Sequence, residues 1–176
     1  MKTTFALFFL ALSASAQTVS VGVKGGIPFN TAPNVIRDVQ LDKQYWTVGP
    51  TVEVSLPARL SVGVDAMYRR YESRFTETGH WQFPMYLKYS LTSGEKLRPF
   101  VELGGVVGYA RTSGNTAETA FFKQNEVGGG LVTGGGVEYR VGRLKFAPEA
   151  RYTHWYNGIY ERQGKDQAEL LIGIRF

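Results

Sequence analysis

The chain has no cysteine in its 176 residues and only two histidines. Without cysteine, neither a disulfide framework nor a metal site with thiolate ligands can form. Beyond the first sixteen residues the sequence has no long uncharged apolar run, so we predict no transmembrane helix. Basic residues exceed acidic ones, but no Lys/Arg run of the kind that binds nucleic acid is present. The lack of cysteine fits an exported β-barrel but would also fit many cytosolic proteins.

The first sixteen residues have the pattern of an export signal. Lys2 supplies the positive charge, Phe5 to Leu12 form a short apolar run, and Ala14-Ser15-Ala16 supplies a small-residue cleavage site. The run is too short to span a bilayer as a helix. We therefore predict a signal peptide at 1–16 and one mature domain at 17–176. Removal of Lys2 lowers the formal net charge from +5 to +4.

Most of the mature chain alternates between apolar and polar residues, the pattern of strands with one apolar and one polar face. Over the last ten residues only Leu171 breaks this alternation, and the sequence ends on the aromatic Phe176. We predict eight strands. They are Thr18–Ile27, Lys43–Leu56, Leu60–Tyr71, Trp81–Leu91, Leu97–Arg111, Val127–Val141, Leu144–Trp155 and Gln167–Phe176.

The connections between these strands alternate in length. Those after the second, fourth and sixth strands are tight turns, and the other four are long and polar. The long ones are Pro28–Asp42, Glu72–His80, Thr112–Glu126 and Tyr156–Asp166. Short periplasmic turns and long external loops are the plan of an outer-membrane barrel. We therefore predict an all-β fold, an eight-stranded antiparallel up-and-down transmembrane β-barrel.

A soluble barrel of the lipocalin type, with its apolar face inward, would show the same alternation. Glycines on the polar face, such as Gly63, Gly104 and Gly108, favour the membrane barrel, because a narrow interior needs small residues. Aromatic residues on the apolar face form two groups, as in the interfacial belts of membrane barrels. The groups are Phe29, Trp46, Tyr68, Trp81 and Tyr109 near the long loops, and Tyr89, Tyr139, Phe146 and Phe176 near the tight turns.

Three prolines fall inside the proposed strands. Pro50, Pro84 and Pro148 each lack the backbone N–H that a closed sheet uses in its ladder. We expect them at bulges, near the barrel ends, or at wrongly assigned strand boundaries.

The segments Phe83–Tyr89 and Arg98–Gly105, with the leader and Phe176, resemble the broad outer-membrane β-barrel family that includes the small OmpA/OmpX-type barrels. The resemblance covers the whole chain at the level of pattern and is specific for architecture, not activity. It implies outer-membrane lipid and lipopolysaccharide as surroundings, with periplasmic chaperones and a barrel-assembly machinery that reads Phe176. We expect a monomer with no cofactor, no metal and no nucleic-acid partner. We also expect no periplasmic cell-wall-binding domain after Phe176.

Charged residues of both signs share the polar face. We predict a lumen ion-pair network, and we favour a lumen filled by compensated charges over an ion path because eight strands enclose little volume. Glu102 is expected within reach of Lys88 on the preceding strand. Six residues are expected at similar depth in the lower half of the barrel, namely Glu53, Asp65, Lys88, Glu102, Glu149 and Arg151. Arg69, Arg140, Lys145 and Arg175 lie on the same face outside this set. The network comprises Lys24, Glu53, Asp65, Lys88, Glu102, Glu138, Glu149, Arg151 and Glu169.

Two arginines occupy the opposite, outward face. Arg70 and Arg111 follow Tyr68 and Tyr109 at the long-loop rim. We expect their guanidinium groups to pair with lipopolysaccharide phosphates through charge-assisted hydrogen bonds.

The segment Tyr152–Ile159 resembles a late segment of lipid A deacylase barrels, in which serine, histidine and a carboxylate act together. Tyr156 occupies the serine position, so we predict no catalytic site. We assign His154 to the rim and His80 to a loop end, and expect Phe121-Phe122 to fold onto the barrel mouth. The predicted function is a non-catalytic, structural or recognition role carried by four external loops. A small pore and a hydrolase remain the alternatives.

Overall fold

The computed structural model describes residues 18–28, 46–72, 76–94, 96–114, 123–157 and 165–176. Strand segments in these ranges form one closed antiparallel sheet, in which β1 pairs with both β2 and β9. In this part of the chain no helix is long and apolar enough to cross a membrane. The segments are β1 (Val19–Pro28), β2 (Thr47–Ser55), β3 (Leu60–Asp65), β4 (Met67–Glu72), β5 (Thr76–Ser90), β6 (Leu97–Gly114), β7 (Lys123–Val141), β8 (Leu144–Trp155) and β9 (Asp166–Arg175).

β3 and β4 are two halves of one strand, so the barrel has eight strands as predicted. Both halves lie between β2 and β5, and the residue pairs on either side of the break keep the same register. A proline lies on each side of the break, since the registers that continue beyond it put Pro50 opposite Ala66 and Pro84 opposite Asp65. The Ala66 amide donates to the Pro50 carbonyl oxygen at 3.0 Å, but proline has no N–H with which to return the bond.

The strand prolines do not lie at bulges. Pro84 pairs with Val106 and Pro148 pairs with Ile172 within uninterrupted registers. On their other sides the pairing is interrupted and then resumes in the same register, for Pro84 with β3 and β4 and for Pro148 with β7. The expectation of bulges, barrel ends or wrong boundaries is therefore wrong. A missing N–H removes a ladder bond without adding a residue to either strand.

The strands are steeply inclined to the barrel axis. The row of paired residues that starts at Thr18 passes Lys88, Glu102 and Arg151 and returns to β1 at Pro28, ten residues further along that strand. Such an offset over eight strands corresponds to an inclination of about 40°. Consequently, along this row from β1 through β2 to β9, each register partner lies farther from the tight turns than the one before it.

The polar face points into the barrel and the apolar face points outward. Asp65 and Arg69 are completely buried, whereas Leu103 and Val127 are 63% and 65% exposed. Leu171, which breaks the alternation of the last strand, is buried in the interior. This arrangement is the reverse of a soluble barrel, and it confirms the predicted inside and outside.

Outward aromatic residues lie at two levels. Near the long loops, Trp81 is the register partner of both Tyr68 and Tyr109, and the Tyr68 and Trp81 ring centroids are 5.0 Å apart. Near the tight turns, Tyr139 pairs with Phe146. These two levels of aromatic side chains fit the two interfacial belts of a membrane barrel. Phe29 lies outside the described residues.

Two of the predicted long loops are shorter than expected because the strands continue into them. β5 begins at Thr76, β6 extends to Gly114 and β7 begins at Lys123. Only residues 73–75 and 115–122 remain between these strands, so the predicted loops Glu72–His80 and Thr112–Glu126 are wrong over much of their length. Outside the apolar band both faces of a hairpin meet water, so the ladder continues without the alternation that reveals a strand.

Candidate functional site

The interior side chains form three layers along the barrel axis. In the layer nearest the tight turns, the Lys88 ammonium lies 3.1 Å from Glu53 Oε2 and 3.0 Å from Glu138 Oε2. Arg175 on β9 pairs with the same two carboxylates and lies 2.9 Å from Glu138. Lys145 donates to the Ser20 hydroxyl at 2.5 Å. Each of these groups is buried, so this layer holds its charges in mutual contact.

Arg151 is the centre of the middle layer. Its Nη2 lies 2.8 Å from Asp65 Oδ2 and 2.9 Å from Glu149 Oε1, and its Nε donates to Glu102 Oε1 at 3.0 Å. Lys24 Nζ lies 2.9 Å from Asp65 and 3.1 Å from Glu149. Two cations and three carboxylates are thus in direct contact, and all five side chains are buried.

Tyr86 fills the space beside this cluster. Its hydroxyl donates to Asp65 Oδ1 at 3.1 Å and accepts from Lys24 Nζ at 3.2 Å, and Thr51 donates to the same Asp65 oxygen at 2.6 Å. The ring is accommodated by Gly63, since a Cβ at that position would lie 2.4 Å from the ring carbons. The glycine therefore provides room for a lumen side chain, as the sequence pattern indicated.

The third layer lies toward the long loops. Arg69 and Glu169 form a buried ion pair. Above it, the Gln82 amide donates to Gln167 Oε1 at 3.2 Å, and the Trp155 indole donates to the same oxygen at 3.4 Å. This end of the lumen is closed by neutral polar groups and one large ring.

His80 is part of this third layer and not of a loop. It is buried within β5, and its ring centroid lies 6.1 Å from that of Trp155. A Cβ on Gly108 would lie 2.9 Å from both rings. The loop-end assignment of His80 is wrong because β5 starts four residues before it. His80 also lies on the same face of β5 as the buried residues Gln82 and Tyr86, which point into the lumen.

The nine residues proposed for the lumen network all face the interior and are buried, but they are divided among the three layers. Lys88 and Glu102 are register partners, yet among the described residues Lys88 pairs in the first layer and Glu102 in the second. The expected Glu102–Lys88 contact is wrong because the strand inclination places Glu102 farther from the tight turns. Arg69 and Arg175 were on the predicted face but outside the predicted network. Tyr86 was missed because an aromatic residue at an inward position carries no charge signal.

Buried charges in the described residues are balanced. Six acidic side chains accompany six basic ones, counting only groups that are buried. An isolated charge in such a place is strongly disfavoured, whereas opposite charges in contact satisfy one another. The interior can therefore be charged and closed at the same time.

The outward rim near the long loops carries a histidine–carboxylate pair. His154 Nδ1 lies 2.7 Å from Asp166 Oδ1, and the Tyr152 hydroxyl donates to the same oxygen at 2.5 Å. Tyr156 packs edge-on against the His154 ring at 5.7 Å between centroids. In the described part of the chain no serine or threonine hydroxyl contacts this pair, and no group of three His, Asp or Glu could hold a metal. Within the described residues, this pair therefore supplies a base and an orienting acid but has no serine or threonine nucleophile beside it.

The other predicted site residues lie at the two ends of the barrel. Gly79 pairs with Arg70 on one side and with Arg111 on the other, and Arg111 is exposed. The Arg70 side chain and Phe121-Phe122 lie outside the described residues. At the opposite end, Phe176 exchanges backbone hydrogen bonds with Val21 at 3.1 and 3.0 Å, and its ring is 68% exposed.

A family model described as outer membrane protein beta-barrel domain matches residues 15–154. Among solved structures, Neisserial surface protein A is similar with a TM-score of 0.60 and 16% identity, covering 92% of this chain and 98% of that one. The N-terminal barrel of OprF from Pseudomonas aeruginosa has a TM-score of 0.59 and 15% identity, covering 90% and 96% of the two chains. Ail, the attachment invasion locus protein of Yersinia pestis, has a TM-score of 0.58 and 13% identity, covering 91% of this chain and 97% of that one. At these identities the likeness shows the fold alone. No curated protein matches the chain.

Proposed function

The chain belongs to the outer membrane protein β-barrel family, and we propose that it is a non-catalytic barrel with a closed lumen that acts through its external loops. Membership of this family places the protein in the outer membrane.

The contact between Arg151 and Asp65 carries this proposal. β8 and β3 lie four strands apart in the ring of eight, on opposite walls, and yet their side chains meet at 2.8 Å. Lys24 from β1 and Glu102 from β6 reach the same cluster. Side chains from opposite walls therefore meet at the barrel axis, which supports a plug and opposes a continuous water path.

A closed lumen leaves the two ends and the lipid-facing surface as places where the protein can act. Loops on a rigid scaffold are the usual place for recognition. Ail, one of the similar structures, is named as an attachment invasion locus protein. By analogy, we propose that the loops at 29–45, 73–75, 115–122 and 158–164 contact another molecule at the cell surface. The same proposal keeps Phe176 as the residue that the assembly machinery reads.

Planar-bilayer recording of the refolded mature chain tests the plug. We expect no stepwise conductance from the wild-type protein. A general porin recorded in the same bilayers is the positive control for conductance. Stepwise conductance of the wild-type protein above the bare-bilayer baseline would refute the closed lumen and support the pore alternative.

A binding comparison tests the role of the loops. The refolded barrel and a variant with residues 115–122 replaced by a short turn should be used as parallel baits against intact cells and envelope extracts. We expect a partner that the wild-type barrel captures and the trimmed barrel does not. Equal capture by both would contradict a role for this loop. Mass spectrometry of lipid A from expressing cells tests the hydrolase alternative, and we expect unchanged acyl chains.

A further inference from the structure

The end of the barrel with the tight turns contains a cavity of about 160 Å³. The cavity lies between the β2–β3 turn, the β5–β6 turn and the end of β7, and it is lined by three arginines and several hydroxyl side chains. Tight turns of outer-membrane barrels face the periplasm. The cavity is therefore open toward the periplasm, below the first layer of ion pairs, and it has room for several water molecules or a small ion.

The three arginines are Arg59, Arg98 and Arg140. Arg98 Nε donates to the Gly94 carbonyl oxygen at 2.6 Å, and Arg140 Nε donates to Glu138 Oε1 at 3.0 Å. Arg59 Nη1 donates to the Leu91 carbonyl oxygen at 3.2 Å. Each guanidinium has five N–H donors, so these bonds leave donors on all three without a partner among the described residues.

The carboxylates of the cavity wall are already neutralised. Glu53 and Glu138 line the cavity, but both are paired with Lys88 and Arg175 of the first layer. In the described part of the chain neither Arg59 nor Arg98 has a carboxylate within ion-pair distance. Among the described residues that line the cavity, positive charge is therefore in excess.

Arg59 is presented by the hairpin turn between β2 and β3. Ala58 and Arg59 have φ angles of 59° and 64°, as the two central residues of a type I′ hairpin turn require. The Arg59 carbonyl oxygen accepts a 2.9 Å hydrogen bond from the Ser90 amide, which ties this turn to the end of β5. The turn therefore holds the Arg59 backbone in a fixed place at the edge of the cavity.

We propose that this cavity binds a phosphate group from the periplasm. Arg59 and Arg98 supply the compensating charge, because guanidinium groups match phosphate oxygens with paired N–H donors. Arg140 and hydroxyls such as Ser55, Ser61 and Ser90 supply further donors. The cavity is too small for a nucleotide, and its strand-borne polar lining residues, such as Ser61, Arg98 and Arg140, occupy inward-facing positions of their strands. The ligand is therefore a soluble phosphate and not the headgroup of a membrane phospholipid.

Isothermal titration of inorganic phosphate into the refolded mature chain, in a zwitterionic detergent at low ionic strength, tests the proposal. We expect saturable binding with one site per barrel. Arg59→Gln and Arg98→Gln should each weaken the binding at least tenfold. Arg143→Gln, an equal charge change in the exposed β7–β8 turn outside the cavity, is the matched control and should leave binding within twofold of wild type.

Two competition experiments distinguish a soluble phosphate from a phospholipid headgroup as the ligand. Glycerol phosphate should compete with inorganic phosphate, whereas short-chain phosphatidylglycerol should not. Binding by the lipid alone, absence of saturable binding, or equal weakening by Arg143→Gln would each overturn the proposal. Heat-dependent gel mobility shows whether each variant is folded, and if Arg59→Gln does not refold because its turn is altered, Arg98→Gln tests the same site.

Discussion

Replacement of Arg151 by methionine tests whether the middle layer holds the barrel together. Arg151 contacts three carboxylates, and Lys24 contacts only two of them, Asp65 and Glu149. In the described residues Glu102 has no second ion-pair partner, so the substitution leaves its charge uncompensated. Methionine keeps part of the apolar volume, which isolates the electrostatic effect from a cavity effect.

The expected magnitude follows from the number of broken contacts. Removing one member of a buried pair costs about 3–5 kcal/mol. Arg151 is shared by three acids, so we expect a loss in the upper part of that range, about 4 kcal/mol in the free energy of unfolding. Glu102→Gln should instead cost less than about 1.5 kcal/mol, because the remaining cluster has two cations and two carboxylates and the amide oxygen still accepts from Arg151.

A double-mutant cycle measures the coupling directly. Arg151→Met combined with Glu102→Gln should be more stable than Arg151→Met alone by about 1–3 kcal/mol, as is usual for residues in contact. Lys145→Met with Glu102→Gln is the matched control, since Lys145 lies in the first layer, opposite Arg140, six residues along β7 from the register partner of Glu102, and the two changes should be close to additive. Urea unfolding in lipid vesicles, followed by tryptophan fluorescence, gives each free energy.

If Arg151→Met lowers the free energy of unfolding by less than about 1 kcal/mol, water screens these charges as it does at a protein surface, and the middle layer does not hold the barrel together. Coupling of Glu102 to Lys145 but not to Arg151 would show that the layers are assigned wrongly.

Three other expectations can be checked with simple assays. The mature protein should begin at Gln17, fractionate with outer membranes and migrate differently on a gel before and after boiling, because a closed barrel has no free sheet edge; identical mobility would contradict the barrel. Arg70→Gln with Arg111→Gln should reduce the lipopolysaccharide retained during purification, and unchanged retention would remove these residues as phosphate contacts. Gly63→Ala should destabilise the barrel by about 1–3 kcal/mol through overpacking in the lumen, whereas Gly105→Ala should be nearly neutral because a Cβ there would have no neighbour closer than 3.8 Å.

The sequence alone determined the architecture because each strand had one face in lipid and one in the interior. That environment imposes a period of two, so the eight strands, the polar interior and the outward aromatic residues could be predicted residue by residue. Where the environment is the same on both faces, the signal is absent. This is why the extensions of β5, β6 and β7 beyond the apolar band were predicted as loops. His80 was assigned to the loop before β5 because the start of that strand was placed at Trp81, whereas the strand begins at Thr76.

Which charges meet in the lumen was decided only by the tertiary structure. Alternation gives the face of a residue but not its depth, and depth depends on the offset accumulated around the closed sheet. The ten-residue offset separates Lys88 from Glu102, although they are register partners, and brings Arg151 to Asp65 on the opposite wall. The cavity below them also depends on the order of strands in the sheet, since Arg59 and Arg98 come from the tight-turn ends of two hairpins that lie side by side because β3 pairs with β5.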